Sequence, residues 1–341
     1  MGHAAFRVDA SAALGTGHFV RCLALARALQ EKGWRASFLC RGLPPALRRQ
    51  ALERGVHLLQ LADATAGWQG DAAQCRAALG AAMPEWLVAD HYALDARWER
   101  AMRAPGMRIA VVDDLADRAH DCDLLVDASG GGERYRGLVP ESARALCGPQ
   151  FALLRPEFAA ARAHAAPRTR VARILVAFGG ADAGGDTEKA LRALRGAAGL
   201  HVEVVAGALN PRRAGIAALC AELPSAQFVG ETDDMARLMA QADLAIGAAG
   251  GTTWERCCLY LPAVILLAAA NQVTLAQAAA RQGAALDLGW PAAGTEERLA
   301  HAVEALRREP ARLAEMSRRA GALVDGLGAR RVAEAMEAAC A

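Results

Sequence analysis

Short apolar runs alternate with longer segments of mixed polarity along most of the 341-residue chain. The runs are bounded by glycine or polar residues, which is typical of buried strands. Between several of them, apolar residues recur three and four positions apart, as at Phe19, Leu23, Ala26 and Leu29, which indicates helices with one apolar face. We predict strands at 5–10, 36–40, 57–61, 86–90, 107–114 and 123–128, and again at 173–180, 201–207, 226–230, 243–251 and 263–268.

The alternation stops once, in the polar, proline-containing stretch 155–173, and then starts again. Strands alternating with helices indicate a parallel sheet, and a chain of this length exceeds what one core usually supports. We therefore predict an α/β protein with a Rossmann-like domain over 1–160 and a second over 171–341, which ends in two helices after Pro291. Ligands bind such domains beyond the carboxyl ends of their strands, so we expect a central cleft between the two.

Composition and charge limit the binding partners and the cellular compartment that we expect for this protein. A formal net charge of +2 with dispersed arginines argues against nucleic acid as a partner. The nine cysteines form no C-x-x-C pair and favour reduced thiols in a cytoplasmic protein. No signal-peptide pattern precedes the first strand, and the longest apolar stretch, 261–270, is too short to span a bilayer. We expect no membrane partner; a monomer is favoured, although the oligomeric state stays open.

The loop after the first predicted strand delivers a histidine to the start of a helix. Gly15 and Gly17 permit a tight turn there, and His18 follows them directly. A helix N-terminus disfavours the imidazolium form, so a neutral ring at this place can accept a proton as a general base. From this segment alone, a polar residue that merely begins a helix is an equally good interpretation of His18.

Acidic residues also follow predicted strands, and they raise the question of a metal. Asp90, His91 and Tyr92 come directly after one apolar run. The D-x-D motif at 121–123 resembles a metal-binding motif, but it precedes its strand and so lies at the wrong end of the sheet. His120 and Cys122 lack a second pair that would complete a tetrahedral site, and we therefore predict no bound metal.

The second half of the chain carries a glycine-rich turn that suits an anion. In "GAAGGTTWERC" (247–257), Gly250 through Thr253 can present backbone N–H groups and hydroxyls to a diphosphate, and Glu255 can take a sugar diol. The absence of G-K-[ST] excludes a P-loop. A tight strand-to-helix connection is the alternative interpretation.

Two amides follow the last predicted strand of this half. Asn271 and Gln272 are uncharged, and such side chains suit the hydroxyl or acetamido groups of a sugar. A polar turn that caps the next helix explains them equally well.

Together, "RVDASAALGTGHFVRCLALA", "DHYALD", "DDLADRAHDCDLLVD", "FGGAD" and "AIGAAGGTTWERC" resemble one family. It comprises the UDP-2,4-diacetamido-2,4,6-trideoxy-β-L-altropyranose hydrolases of pseudaminic acid biosynthesis, and the likeness keeps motif order through nearly the whole chain. The resemblance implies the GT-B fold, with two Rossmann-like domains around a cleft. It also implies that the second domain is similar to the UDP-GlcNAc-binding half of the glycosyltransferase that makes lipid II.

The same resemblance implies a metal-independent hydrolysis without a cofactor, in which water attacks the anomeric carbon with inversion and UDP leaves. It assigns the catalytic-base role to His18. As sugar-binding residues it implies Asp9, Arg21, Asp90, His91 and Tyr92, and we expect Gly17, Asn271 and Gln272 to bind the sugar as well. As UDP-binding residues the resemblance implies Gly180, Phe228, Val229, Met235, Gly250, Gly251, Thr252, Thr253 and Glu255.

Three departures from the family pattern bear on the identity of the substrate. Gly185 stands near an expected asparagine, Ala249 and Gly251 replace glycine and serine, and "VDASGG" at 126–131 stands where "DQN" is more familiar. The altrose isomer and related diacetamido sugars are therefore both open as substrates. Two other functions are also open, namely a GT-B glycosyltransferase with a hydroxyl acceptor and a non-catalytic protein that binds a nucleotide sugar.

Overall fold

A computed structural model describes residues 2–11, 14–62, 67–81, 83–180, 182–207, 210–230 and 232–340. The chain divides into two compact units. The first unit comprises Met1–Arg155 together with Leu327–Ala341, and the second comprises Pro156–Gly326.

The first unit is a parallel sheet covered by helices. Its strands are β1 (His3–Val8), β2 (Arg35–Cys40), β3 (His57–Gln60), β4 (Trp86–Asp90), β5 (Arg108–Val112), β6 (Leu124–Asp127) and β7 (Arg144–Cys147). The sheet order is β3-β2-β1-β4-β5-β6-β7. The helices are α1 (Gly17–Gln30), α2 (Pro45–Glu53), α3 (Gly67–Leu79) and α4 (Ala96–Met102).

The second unit repeats this plan with six parallel strands. They are β8 (Arg173–Ala177), β9 (His201–Val205), β10 (Ala226–Gly230), β11 (Leu244–Ala248), β12 (Ala263–Leu266) and β13 (Ala285–Asp287), in the order β10-β9-β8-β11-β12-β13. Its helices are α5 (Pro156–Arg162), α6 (Asp186–Ala193), α7 (Arg213–Ala221), α8 (Met235–Gln241), α9 (Thr252–Cys258), α10 (Val273–Arg281), α11 (Thr295–Arg308) and α12 (Pro310–Leu323).

The apolar alternation explains why both faces of the first sheet are covered. Phe6 and Val8 point into one core, which also holds the predicted apolar face of α1, and Ala5 points into the core on the other face. Strands that are apolar on both faces are typical of parallel sheets with helices on each side. Each predicted strand is present within a few residues of its expected bounds. Among the strands of the described residues, the two short edge strands β7 and β13 are those that the hydrophobic pattern does not predict.

The last helix, α13 (Gly328–Cys340), packs in the first unit rather than in the second, where the sequence analysis had expected it. Its Val332, Ala333 and Met336 join the same core as α1. The indole N–H of Trp86 also donates to the carbonyl of Met336 over 3.0 Å. The apolar face of α13 is buried there, and the segment after Pro291 contains three helices instead of the expected two.

Each sheet has one point where the strand order reverses direction. In the first unit it lies between β1 and β4, and in the second between β8 and β11. We call them the first and the second switch point. In open parallel sheets, the crevice beyond the strand ends at such a point is where ligands bind.

Candidate functional site

A histidine and an aspartate meet at the first switch point. His18 lies in the first turn of α1, just beyond β1, and Asp90 is the last residue of β4. Since β1 and β4 are neighbouring parallel strands, both residues lie at the same edge of the sheet. The Nδ1 atom of His18 is 2.5 Å from Oδ1 of Asp90, and both side chains are buried.

Arg21 completes a charged group around Asp90. It lies one turn after His18 on α1, and its Nε and Nη2 atoms each donate to the Asp90 carboxylate over 2.7 Å. Its Nη1 atom donates to Oδ2 of Asp114 over 2.8 Å. Burial alone would raise the pKa of Asp90, but the charge of Arg21 and the hydrogen bonds from Arg21 and His18 outweigh it and hold the pKa below its usual range. Asp90 is therefore an ionised carboxylate inside the protein.

This carboxylate determines where the imidazole proton lies. An ionised Asp90 only accepts hydrogen bonds, so Nδ1 of His18 carries a proton, and in the neutral ring the lone pair is therefore on Nε2. Nη2 of Arg21 comes within 3.1 Å of Nδ1 because both groups donate to the same oxygen. Tyr92 packs edge-on against the imidazole, with 4.5 Å between ring centroids. A ring that is fixed through Nδ1, with a free Nε2, is suited to general-base chemistry.

Asp9 and His91 form a second group at the same edge. Oδ1 of Asp9 accepts from the backbone N–H of Arg41 over 2.8 Å, while Oδ2 lies 2.7 Å from Nη2 of Arg7 and 3.4 Å from Nε2 of His91. Burial raises the pKa of Asp9, but His91 and Arg7 together lower it below the usual range. Nδ1 of His91 accepts the N–H of Ala93, which leaves the ring proton on Nε2, facing Asp9.

The support for Asp9 was missed by the sequence analysis. Arg7 is buried in β1, and both its Nε and Nη2 atoms donate to Asp71 on α3. Arg41 and the indole of Trp98 also donate to Asp71. The signal was present in the printed sequence, because an arginine inside an apolar strand needs a buried carboxylate as its partner. Nothing in the sequence indicated which carboxylate that is.

The second switch point is lined by glycines instead of charges. Gly179 and Gly180 follow β8, and Gly250 and Gly251 follow β11. A Cβ atom built on any of these four glycines would meet no atom within 4 Å. The backbone at this point is therefore open, as contact with a bulky ligand requires.

The two helices that follow these glycine loops begin differently. In α6, the Asp182 carboxylate accepts the backbone N–H groups of Asp186 and Thr187 over 2.8 and 3.1 Å. In α9, no side chain caps the first turn. Gly185, which precedes α6, has φ of +66°, a conformation that both glycine and asparagine tolerate. This departure from the family pattern therefore has a conformational explanation.

The other residues expected to contact UDP or the sugar lie at the same edge of the second sheet. Phe228 and Val229 are in β10, two strands away from β8, which is about 10 Å at the usual strand spacing. Met235 begins α8, and Glu255 is buried in α9. Asn271 and Gln272 lie in a short turn after β12, where Oε1 of Gln272 accepts the N–H of Ala268. The structure thus brings Gly180 and the 250–253 turn together, with the remaining residues farther along the edge.

The D-x-D motif has arginine partners. Nη1 of Arg103 donates to Asp123 over 2.9 Å, and its Nε donates to Asp121 over 3.4 Å. Asp123 also accepts the backbone N–H of Ile109, so it joins the starts of β5 and β6. Within the described ranges, no group of three or more His, Cys, Asp or Glu side chains is placed to hold a metal ion.

Across the described residues, no helix is both long and apolar enough to cross a membrane.

Comparison with known proteins finds one domain model that matches the second half of the chain. Residues 212–336 match the glycosyltransferase family 28 C-terminal domain. The chain is 32% identical over 214 residues to the spore coat polysaccharide biosynthesis protein SpsG of Bacillus subtilis, which covers 62% of this chain and 63% of that protein. It is 29% identical over 164 residues to the UDP-2,4-diacetamido-2,4,6-trideoxy-β-L-altropyranose hydrolase of Campylobacter jejuni, covering 45% of this chain and 52% of that protein.

A third relative is a transferase. The chain is 37% identical over 247 residues to the UDP-N-acetylglucosamine–N-acetylmuramyl-(pentapeptide) pyrophosphoryl-undecaprenol N-acetylglucosamine transferase of Sorangium cellulosum. That match covers 68% of this chain and 60% of the transferase. The chain thus spans between about half and just under two thirds of the length of the three curated relatives.

Solved structures confirm the predicted fold. MurG of Acinetobacter baumannii superposes with a TM-score of 0.72 at 18% identity, over 99% of this chain and 100% of that one. The kitacinnamycin glycosyltransferase gives 0.68 at 19% identity, over 100% and 99%. The chain therefore has the GT-B fold, with two Rossmann-like α/β domains built on parallel sheets.

Proposed function

We propose that this protein hydrolyses UDP-2,4-diacetamido-2,4,6-trideoxy-β-L-altropyranose to UDP and the free sugar, as a step in pseudaminic acid biosynthesis. The observation that carries the proposal is the pair of His18 and Asp90 at the first switch point, with 2.5 Å between Nδ1 and Oδ1. A buried, ionised carboxylate that fixes one imidazole tautomer is the arrangement of a general base. The name of the Campylobacter jejuni relative supports the choice of reaction and substrate.

In the proposed reaction, water is the nucleophile. Nε2 of His18 takes one proton from water as the water oxygen forms a bond to the anomeric carbon. The bond between that carbon and the phosphate oxygen breaks, and its electron pair leaves with UDP. A single displacement inverts the anomeric centre, whereas a route through a covalent carboxylate intermediate would retain it. Asp90 stabilises the imidazolium that forms, and Arg21 keeps Asp90 ionised and oriented.

The two units take different parts in this proposal. UDP binds at the second switch point, to the backbone of Gly180 and of the 250–253 turn, with Glu255 on the ribose and with Phe228, Val229 and Met235 nearby. Asp9, Gly17, His91 and Tyr92 are the sugar-binding candidates of the first unit, and Asn271 and Gln272 are those of the second. The match of residues 212–336 to the glycosyltransferase family 28 C-terminal domain supports the nucleotide-sugar assignment. No metal or other cofactor takes part.

A glycosyltransferase is the second candidate, because the matched domain and the Sorangium cellulosum relative both carry that name. In that case His18 would take the proton from an acceptor hydroxyl rather than from water. Both reactions use the same general base, so the geometry around His18 does not distinguish them. They differ in the acceptor, which is water in the hydrolase and a hydroxyl group in the transferase.

A proton NMR time course with the UDP-diacetamido sugar, recorded with a chelator present, tests the proposal. We expect the free sugar to appear first as the inverted anomer, at a rate that added glycosyl acceptors do not change. UDP release that rises steeply with an added hydroxyl acceptor would instead establish the transferase. If the altrose substrate persists while another UDP-diacetamido sugar is consumed, the reaction class holds and the sugar changes.

A further inference from the structure

One buried arginine at the second switch point, Arg256, takes no part in the proposed reaction. Arg256 lies on α9, and its side chain runs back toward the start of that helix, as helical side chains do. Its Nη2 atom donates to the carbonyl of Ala248 over 2.9 Å and to Oγ1 of Thr253 over 3.0 Å. The guanidinium therefore lies directly under the turn that links β11 to α9.

The neighbouring strands leave room for this guanidinium. Gly247 in β11 is paired with Ala177, the last residue of β8. A Cβ atom built on Gly247 would lie 2.2 Å from the Ala177 carbonyl oxygen and 2.9 Å from Nη1 of Arg256. Because position 247 is a glycine, the Arg256 guanidinium fits beside the ends of β8 and β11, from which the two glycine loops continue.

The partners of Arg256 do not neutralise it. Its hydrogen bonds go to a carbonyl and a hydroxyl, both uncharged, and its Nε atom is buried without a partner among the described residues. Burial lowers the pKa of Arg256 to about 10, and the charge of the neighbouring Glu255 offsets this only in part. The first-turn N–H groups of α9 carry the same sign as the guanidinium, so they do not compensate it either.

Two other arginines with little exposure are paired with carboxylates, and a third lies at the negative end of a helix. Arg7 and Arg21 each donate to two aspartates. Arg168, in the second unit, donates to the carbonyls of Ala240 and Ala242 at the end of α8, where the helix dipole is negative. A buried charge is normally paired, because its desolvation is otherwise uncompensated.

We infer that Arg256 is the fixed positive charge that the second unit provides for the diphosphate of its nucleotide, acting from beneath the 250–253 turn as a positioning residue. This inference rests on the proposed function. The guanidinium holds the Thr253 hydroxyl and the Ala248 carbonyl in place, and its field favours a ligand with two phosphates over the nucleoside alone. The ligand class is thus a nucleoside diphosphate rather than a nucleoside.

Isothermal titration with UDP and with uridine tests this inference in Arg256→Met and Arg256→Lys. The matched control is Arg168→Lys, which alters another buried arginine of the same unit. For each variant the ratio of the uridine Kd to the UDP Kd is compared with that of the unmodified protein. We expect Arg256→Met to lower this ratio by about 10- to 100-fold, as for a lost charge-assisted contact, and Arg256→Lys by less. Arg168→Lys should leave the ratio within about twofold, since its site is remote from the turn.

The outcomes separate the inference from the proposed function. If the affinities for UDP and for uridine fall by the same factor in the Arg256 variants, Arg256 only supports the fold. The inference is then wrong, while the proposal that the protein binds UDP stands. If Arg256→Met does not fold, Arg256→Gln replaces it, and an unchanged ratio in Arg256→Gln contradicts the inference, because the amide keeps a hydrogen-bond donor but carries no charge. If the unmodified protein binds no UDP, the proposed function fails and the inference fails with it.

Discussion

The two switch points have the same topology and opposite chemistry. At the first, the strand ends carry ionisable side chains that bind one another, with Asp90 accepting from His18 and Arg21. At the second, the strand ends carry glycines whose backbone is open, and a buried arginine lies under the turn. A site that moves a proton needs side chains with fixed protonation states. A site that holds a phosphate group needs backbone N–H donors and room for close approach.

The two units also differ in how they fix the geometry of their candidate sites. In the first unit, buried carboxylates and arginines fix the side chains near His18, so that the tautomer follows from a network of charges. In the second, shape dominates, because Gly247 and the open glycines make space that any side chain would fill. We therefore expect substitutions in the first unit to change turnover and those in the second to change affinity.

The largest effect that this contrast predicts is that of Asp90→Asn. The amide can donate to Nδ1 of His18, which moves the ring proton to Nε2 and removes the base. We expect UDP release to fall by about 10³-fold or more, as for a triad histidine held in the wrong tautomer, with the UDP Kd within about twofold. Steady-state kinetics and titration on one preparation measure both.

Asp114→Asn is the graded control for this prediction, since Asp114 contacts Arg21 and not the imidazole. It should slow turnover by less than about tenfold, in line with an indirect contact. Equal losses in both variants would mean that Asp90 acts through the fold and not through the tautomer.

The next effect is on binding at the second switch point. Gly250→Ala and Gly251→Ala place a methyl group in open space, so the folded protein should tolerate them. We expect unchanged or slightly higher thermal stability and a UDP affinity about tenfold lower, from one lost close approach. Gly215→Ala, a helical position that is free of backbone strain, is the matched control and should bind UDP normally. Normal UDP binding by both Gly250→Ala and Gly251→Ala would contradict the assignment of UDP to this turn.

A third effect separates the units by their stability in acid. The pKa values of Asp9, Asp71 and Asp90, all in the first unit, are lowered in the folded state. A lowered folded pKa contributes stability that is complete above the unfolded value of about 4 and is lost as pH falls through the folded pKa. Asp95, also in the first unit, has a lowered pKa as well, whereas Asp127 opposes the trend because burial raises its pKa, so one group stands against four. In the described second unit, only the half-exposed Glu315 has a lowered carboxyl pKa.

We therefore expect the first unit to open before the second as pH falls from about 4 toward 2. Hydrogen exchange followed by mass spectrometry reports the two units separately. Simultaneous loss of protection in both units would argue that the buried network does not dominate the stability of the first.

The smallest effect concerns the departure at Gly185. Asparagine tolerates the φ of +66°, but a Cβ atom at this position would lie 3.1 Å from Nε of the flexible Arg212 side chain, which must move slightly. Gly185→Asn should therefore cost less than about 1 kcal/mol, whereas Gly185→Val should cost about 1–2 kcal/mol. Thermal unfolding of the two variants measures this. A large loss in the asparagine variant would mean that the loop requires glycine for more than its backbone conformation.

The fold was predictable because both sheets are built from strands that are apolar on both faces, separated by helices of ordinary length. The edge strand β7 escaped notice because its "RALC" sequence is short and half exposed. The helix α13 was assigned to the wrong unit because it directly follows the second unit along the chain, whereas its place is determined by tertiary contacts with the core around α1 and with Trp86.

The site was predictable in part for a similar reason. Residues directly after strands meet at a switch point, so His18, Asp90 and the glycine turns could be found from their positions. The partners Asp71 and Asp114 could not be assigned, because a hydrogen bond across 64 or 93 positions leaves no periodic pattern in the sequence. Arg256 was hidden for another reason, since an arginine on a helix is usually exposed and nothing local marks it as buried.

One measurement tests the central claim that the first unit performs the chemistry and the second binds UDP. His18→Asn removes the base without adding a charge, and UDP release and the UDP Kd are measured on the same sample. The account predicts that turnover falls by at least about 100-fold, as for a lost general base, while the Kd stays within about twofold. Unchanged turnover would contradict it, and so would a Kd that weakens by the same factor as the rate.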